Sequence, residues 1–142
     1  MTSDELRQFA ARYSEAWSSH DPVKVAAFFS ENGSLSVNDG SPAVGRAAIA
    51  KEAQAFMTTF PDMIVTFDEL EDGGWSFLRR AQDRLCDAVF HWTLTGTNTG
   101  PGGTGNRVRI SGYELWLIGD DGLIARSEGH FDSADYERQL GG

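Results

Sequence analysis

Near the start of the chain, apolar residues recur at helical spacing. Leu6, Phe9, Ala10, Tyr13, Ala16 and Trp17 share one face of residues 4–19. Thr2 and Glu5 stand ahead of that face at capping-box spacing. Asp21-Pro22 predicts a second, short helix, with an N-cap and then proline at the first helical position. It should bury Val25, Phe28 and Phe29, and Asn32-Gly33 should end it. Ser34 to Val37 reads as a short strand. Gly45-Arg46-Ala47-Ala48-Ile49 opens a third helix with Ile49, Ala53, Phe56 and Phe60 inward, and Pro61 stops it.

Beyond Pro61 the period changes from helical to alternating. Met63 to Leu70 predicts a strand, with Met63, Val65 and Phe67 on one side. Glu71-Asp72-Gly73-Gly74 marks a turn, and Trp75 to Gln82 leaves short helix, lid and strand extension open. Asp87 to Thr97 predicts a long strand. Ala88, Phe90, Trp92 and Leu94 take one face, and His91, Thr93, Thr95 and Thr97 take the other. The glycine-rich stretch Thr99 to Gly105 reads as a hairpin loop. No Lys-Ser/Thr follows it and no helix opens there, which argues against a phosphate cradle. Asp135 to Leu140 forms a terminal helical turn. Helices first and long antiparallel strands afterwards predict one α+β domain spanning residues 1–142. The economical construction is a cone, a curved antiparallel sheet wrapped around the N-terminal helices with a pocket between them. Tyr13 and Trp17 should then face Phe90, Trp92, Glu114 and Trp116.

One residue breaks the pattern. Glu114 is a lone carboxylate inside the apolar run Ile110 to Ile118, which ends in the turn Gly119-Asp120-Asp121-Gly122. A hairpin with a four-residue loop sets Ile118 opposite Leu123. Glu114 then shares a face with Ile110, Gly112, Trp116, Ala125, Ser127, Gly129 and Phe131. Arg109, Tyr113, Arg126, Glu128, His130 and Asp132 lie on the other face, with Arg109 opposite Asp132 and Tyr113 opposite Glu128. The first face reads as core. Burying a carboxylate is costly unless it is paired or protonated, so Glu114 is the leading candidate for chemistry.

Charge and cysteine content narrow the classes. The 142 residues carry a net charge of −9, with no basic stripe for nucleic acid or an anionic membrane. Cys86 is the single cysteine, so no internal disulfide forms, and no two histidines have ligand spacing for a metal. The first residues show no signal segment and no apolar run is long enough for a bilayer, so a cytoplasmic protein is expected.

Several stretches together resemble the nuclear transport factor 2 superfamily. They are Ala11-Arg12-Tyr13, the Asp21-Pro22 helix start, Gly45-Arg46-Ala47-Ala48-Ile49, Thr95-Gly96-Thr97-Asn98-Thr99-Gly100, Asp121-Gly122-Leu123-Ile124-Ala125 and Arg138-Gln139-Leu140-Gly141. The chain is most similar to the SnoaL-like and ketosteroid isomerase-like group. The resemblance implies a cone fold and a homodimer formed through the sheet. It also implies chemistry without a cofactor. In the isomerase branch a tyrosine in an Ala-Arg-Tyr motif and a protonated acid before the last turn form an oxyanion pair. Tyr13 and Glu114 stand at those places. The general base of that branch follows the first strand, where Asp39 lies two residues past Val37. SnoaL-like cyclases and limonene epoxide hydrolases carry an acid five positions after the isoleucine of the final strand. Here that position is Gly129.

The expected site thus has Tyr13, Glu114 and Asp39 as catalytic groups. Trp17, Phe90, Trp92, Trp116 and Phe131 would stack on a flat hydrophobic ligand, and Ser127 with Gly112 and Gly129 would leave room for it. The expected activity is isomerase-like or cyclase-like proton transfer on a hydrophobic carbonyl compound. Two other readings stand beside it. In one, the domain binds apolar ligands or serves as a dimeric accessory without catalysis. In the other, the polar face with His130 and Asp132 is a protein interface.

Overall fold

The computed structural model describes residues 2–71 and 86–141. Helix α1 (Ser3–Ser18) begins with both halves of the capping box. Thr2 N donates to Glu5 Oε1 at 2.9 Å and Glu5 N donates to Thr2 Oγ1 at 3.1 Å. Helix α2 (Pro22–Ala26) starts on Asp21, whose Oδ1 accepts from Val23 N at 3.0 Å. Strands β1 (Phe29–Val37) and β2 (Ala43–Val44) follow, then helix α3 (Arg46–Thr59) and strand β3 (Ile64–Glu71). Strands β4 (Ala88–Thr97), β5 (Arg107–Ile118) and β6 (Ile124–Phe131) precede helix α4 (Ser133–Gly141). The stretch Trp75 to Gln82 lies outside the described residues, as does most of the Glu71–Gly74 turn.

Six strands form one sheet in the order β2-β1-β6-β5-β4-β3. Helices on one side of a curved sheet give the expected α+β cone. The sheet is mixed rather than purely antiparallel, because β1 runs parallel to β6. Nor does β1 begin at Ser34. It begins at Phe29, which is a fully buried strand residue rather than part of α2. A register shift between Phe29 and Ser34 absorbs the Asn32-Gly33 step. Gly33 allows the close approach there, since a Cβ would stand 2.8 Å from the Ile124 carbonyl oxygen.

The β5–β6 hairpin differs from the expected register by two residues. Ile118 pairs with Ile124 rather than Leu123, a shift of one. A bulge then sets Leu117 opposite Arg126 instead of Ala125, a further shift of one. Two odd shifts make an even one, so every residue of β5 keeps its expected face. Glu114 now lies opposite Gly129, and Tyr113 opposite His130 instead of Glu128. The bulge also brings Ile124 into the core in place of Ala125, which is only half-buried. Asp132 does not meet Arg109. Its Oδ1 accepts from Asp135 N at 3.1 Å at the start of α4.

Two side chains fasten helices to strand edges by imitating a peptide group. Ser18 at the end of α1 accepts from Val65 N at 2.9 Å and donates to Val65 O at 3.2 Å. Gln139 in α4 accepts from Arg109 N at 2.7 Å and donates to Arg109 O at 3.0 Å. The second pair occupies the part of β5 that lies beyond the β6 ladder. Between helices and sheet, Phe90 stacks on Trp116 with ring centroids 5.0 Å apart, and Tyr13 meets both edge-on at 5.3 and 5.2 Å. Such pairs each add roughly 0.5–1.5 kcal/mol to the burial of their rings.

Candidate functional site

Glu114 is 7 % exposed, on the concave side of the sheet. Three donors converge on one of its oxygens. Tyr13 Oη donates to Oε1 at 2.9 Å, Trp116 Nε1 at 2.9 Å and Ser127 Oγ at 2.7 Å. Each comes from an element whose geometry aims it. Tyr13 sits on the inward stripe of α1, Trp116 follows Glu114 by two on β5, and Ser127 lies opposite Trp116 on β6. The other oxygen, Oε2, has no hydrogen-bond partner among the described residues.

The charge on Glu114 is equally unbalanced. Burial raises its pKa, and the hydrogen bonds from Trp116, Ser127 and Tyr13 oppose that rise without cancelling it. Among the described residues no cationic side chain acts on it. The Tyr13 hydroxyl is held well above its ordinary value, first by burial and then by the Glu114 charge. An acceptor that already receives three hydrogens has no room for a fourth. When Glu114 is protonated, the proton therefore resides on Oε2.

Glu114 forms the polar spot in the wall of a cavity of about 60 Å³ between α1, α3 and the sheet. Trp17, Phe56, Trp92 and Phe131 supply aromatic wall, and Leu35, Val37, Val65, Leu94 and Ile110 supply aliphatic wall. The space holds a few water molecules or one very small organic molecule. Sites for drug-sized ligands usually measure about 300–1,000 Å³, so a larger guest must displace side chains. Among the described residues no group of three or more His, Cys, Asp or Glu could hold a metal ion.

The structure divides the expected site residues into two sets. Trp17, Trp92, Phe131 and Glu114 line the cavity. Phe90, Trp116 and Ser127 are fully buried behind it as packing and hydrogen-bond support. Tyr13 belongs with the second set. It is 0 % exposed, and its hydroxyl is engaged with Glu114 instead of standing beside it facing a ligand. Asp39 is exposed in a left-handed turn after β1, with φ of 62°, and does not reach the cavity. Its neighbour Asn38 is tied to β6 at Phe131 N and Gly129 O, which turns residue 39 outward.

The sequence placed Gly129 among the small residues that leave room for a ligand, but it assigned no role to two indole N–H groups. Gly129 lines the cavity, and a Cβ there would lie 3.7 Å from Glu114 Cγ. The Glu114 side chain thus crosses over the position where related cyclases carry an acid. Among the described residues lining it, the cavity keeps one carboxyl, delivered from the neighbouring strand. Trp17 Nε1 and Trp92 Nε1 are buried donors without a hydrogen-bond partner among the described residues. Trp17 lies close enough to Tyr13 to oppose the rise of its pKa, yet its N–H does not reach hydrogen-bond geometry. No pattern of sequence distinguishes an orphaned indole from a satisfied one.

The family model of the SnoaL-like domain matches residues 10–127. The chain belongs to the SnoaL-like family. No curated protein matches its sequence. Solved structures share the fold at low identity. A protein described as a SnoaL-like polyketide cyclase, from Jannaschia sp. CCS1, aligns over 96 % of this chain and 92 % of its own, at 14 % identity and a TM-score of 0.78. TsrD from Streptomyces laurentii aligns over 99 % and 98 %, at 20 % identity and a TM-score of 0.78. A hypothetical protein with a ketosteroid isomerase-like fold from Catenulispora acidiphila, solved with trimethylamine, aligns over 94 % and 92 %, at 13 % identity and a TM-score of 0.76. At these identities the likeness establishes the fold and leaves the reaction to the site itself. No helix among the described residues is long and apolar enough to cross a membrane.

Proposed function

We propose that this SnoaL-like protein is an isomerase-type or cyclase-type enzyme that moves a proton on a small hydrophobic carbonyl compound, with Glu114 Oε2 as the proton carrier. The observation that carries the reading is the asymmetry of the carboxyl. Oε1 is held by Tyr13, Trp116 and Ser127, while Oε2 has no partner among the described residues and Glu114 lines the cavity. A fixed carboxyl with one free oxygen and a pKa raised by burial is suited to take and return a proton.

The step balances within the substrate and one side chain. A C–H bond beside the carbonyl breaks and its proton goes to Oε2. The electron pair moves into the new C=C bond and the carbonyl oxygen becomes an enolate oxygen. Returning the proton to a different carbon gives an isomer, and attack of the enolate carbon on a second carbonyl closes a ring. Tyr13, Trp116 and Ser127 act through Glu114 as positioning residues, because all three bond the same oxygen and all three lie wholly within the core.

Exchange of α-hydrogens for deuterium in D₂O, followed by NMR over a panel of small cyclic and acyclic ketones, tests the reading without knowledge of the natural substrate. The wild-type protein should accelerate exchange of at least one ketone, and Glu114→Gln should abolish the acceleration while remaining folded. Equal exchange in both proteins, or none in either, sinks the proposal. Retained ketone binding without exchange would favour a non-catalytic carrier, as the glycine at position 129 suggests.

A further inference from the structure

We propose that Trp17 and Trp92 determine what the cavity accepts, by donating their indole N–H groups to acceptor oxygen on an uncharged, mostly hydrocarbon ligand. The proposal rests on the reading of Glu114 as the proton carrier and names the other half of that site.

Both indole nitrogens are buried without an acceptor among the described residues, and both rings line the cavity that contains Glu114. Leaving a buried donor unsatisfied costs about 1–3 kcal/mol. Two such donors in the wall of a single small cavity are unusual in a native fold, where nearly all buried polar groups are paired. Two polar groups of the site leave these donors unsatisfied. Glu114 Oε1 already receives three hydrogens, and the Tyr13 oxygen fails to meet the Trp17 N–H at hydrogen-bond geometry.

The third indole of this group shows what a satisfied one does, since Trp116 Nε1 bonds Glu114. The wall around Trp17 and Trp92 is otherwise apolar, built from Leu35, Val65, Leu94 and Ile110 among others. A guest there must therefore be largely hydrocarbon and must carry acceptor oxygen.

The two donors also discriminate by charge. A ketone oxygen has two lone pairs to offer such donors, and their attraction grows as negative charge develops on that oxygen during proton removal. An ammonium ion brings only donors. It would pair with Glu114 and with the aromatic faces, but it would leave both indole hydrogens orphaned. A hydrocarbon of the same shape would fill the space and leave them orphaned as well.

Local backbone geometry supports a fixed position for one of the rings. Trp92 lies across Gly112, where a Cβ would stand 2.5 Å from Cζ2 of the indole, and Phe131 meets its ring edge-on at 6.1 Å. Trp17 is similarly held between Phe56 and Tyr13, with centroids at 6.1 and 6.4 Å.

Three probes of similar shape separate the possibilities: cyclohexanone, methylenecyclohexane and cyclohexylammonium. Each is titrated into the ¹⁵N-labelled full chain, and the indole N–H resonances of its four tryptophans are followed. Cyclohexanone should bind most tightly and move the Trp17 and Trp92 resonances downfield, with Trp116 as the internal reference. Trp17→Phe and Trp92→Phe keep a ring but remove the N–H. Each should weaken cyclohexanone roughly three- to tenfold and leave methylenecyclohexane unchanged. The wild-type shifts stand on their own if a variant fails to fold. Tighter binding of either other probe, no binding of cyclohexanone, or unmoved indole resonances overturns the proposal. Shifted indoles with α-hydrogen exchange that survives Glu114→Gln would remove the proton-transfer reading alone. Glu114-dependent exchange with unmoved indoles would remove this one alone.

Discussion

Tyr13 and Glu114 are 101 residues apart in the chain and share a 2.9 Å hydrogen bond beneath the first helix. The bond joins a helix to the middle of the sheet through the carboxyl oxygen that Trp116 and Ser127 also hold. It orders the site as a series, in which phenol, indole and hydroxyl hold one oxygen and the other is left to the cavity.

Glu114→Gln should flatten the pH dependence of stability. The folded pKa of Glu114 is raised by burial above its unfolded value of about 4.3. Its contribution is fully present below that unfolded value and is lost as pH rises through the folded one. Glutamine keeps an oxygen for the three donors and carries no charge. Urea denaturation across the acid-to-neutral range should show the wild-type protein losing stability relative to the variant as pH rises. Parallel curves would contradict the raised pKa.

Tyr13→Phe keeps the ring between Phe90 and Trp116 and removes one donor from Oε1. Its bond is one of the three that lower the Glu114 pKa, so its loss should push that pKa further up. Carboxyl-resolved NMR titration reads the shift directly. Stability should fall by about 1–2 kcal/mol, the scale of one buried hydrogen bond. Ser127→Ala should shift the pKa in the same direction.

Two glycines of the cavity hairpin should behave oppositely on substitution by alanine. At Gly112 a Cβ would lie 2.4 Å from the His130 carbonyl oxygen and 2.5 Å from Trp92 Cζ2. Backbone and ring must both move, at a cost of about 1–3 kcal/mol or more. At Gly129 the nearest atoms are 3.4 and 3.7 Å away, which is ordinary contact. Thermal unfolding should therefore show Gly112→Ala clearly destabilised and Gly129→Ala close to wild type.

Gln139→Ala should free α4 from β5 without unfolding the domain. The lost pair holds the Arg109 amide and carbonyl. Hydrogen exchange should accelerate at the Arg109 amide while the Glu114 and Ser127 amides keep their protection. Uniform acceleration would show that α4 belongs to the global unfolding unit.

Much of the architecture was legible because it depends on local chemistry. The capping box at Thr2–Glu5 and the Asp21-Pro22 helix start are satisfied within a few residues of chain, so no distant contact can overrule them. The parallel pairing of β1 with β6 was not legible, since nothing within β1 states the direction of a partner almost one hundred residues away. The Asp39 turn shows the same limit. Its acid follows the strand as the resemblance implied, but Asn38 anchors the backbone to β6 and points it outward.

Glu114 marks where the two kinds of information divide. Alternation along β5 was enough to turn its side chain toward the interior, because strand parity is a property of the backbone and survives an even slip in register. Which of its oxygens is engaged, which aromatics stand in the wall and which behind it, and which indoles lack acceptors all depend on distances between separate elements. Those distances arise only when α1, the bulged hairpin and the curved sheet pack together, since packing and hydrogen-bond geometry are set across the core and not along the chain.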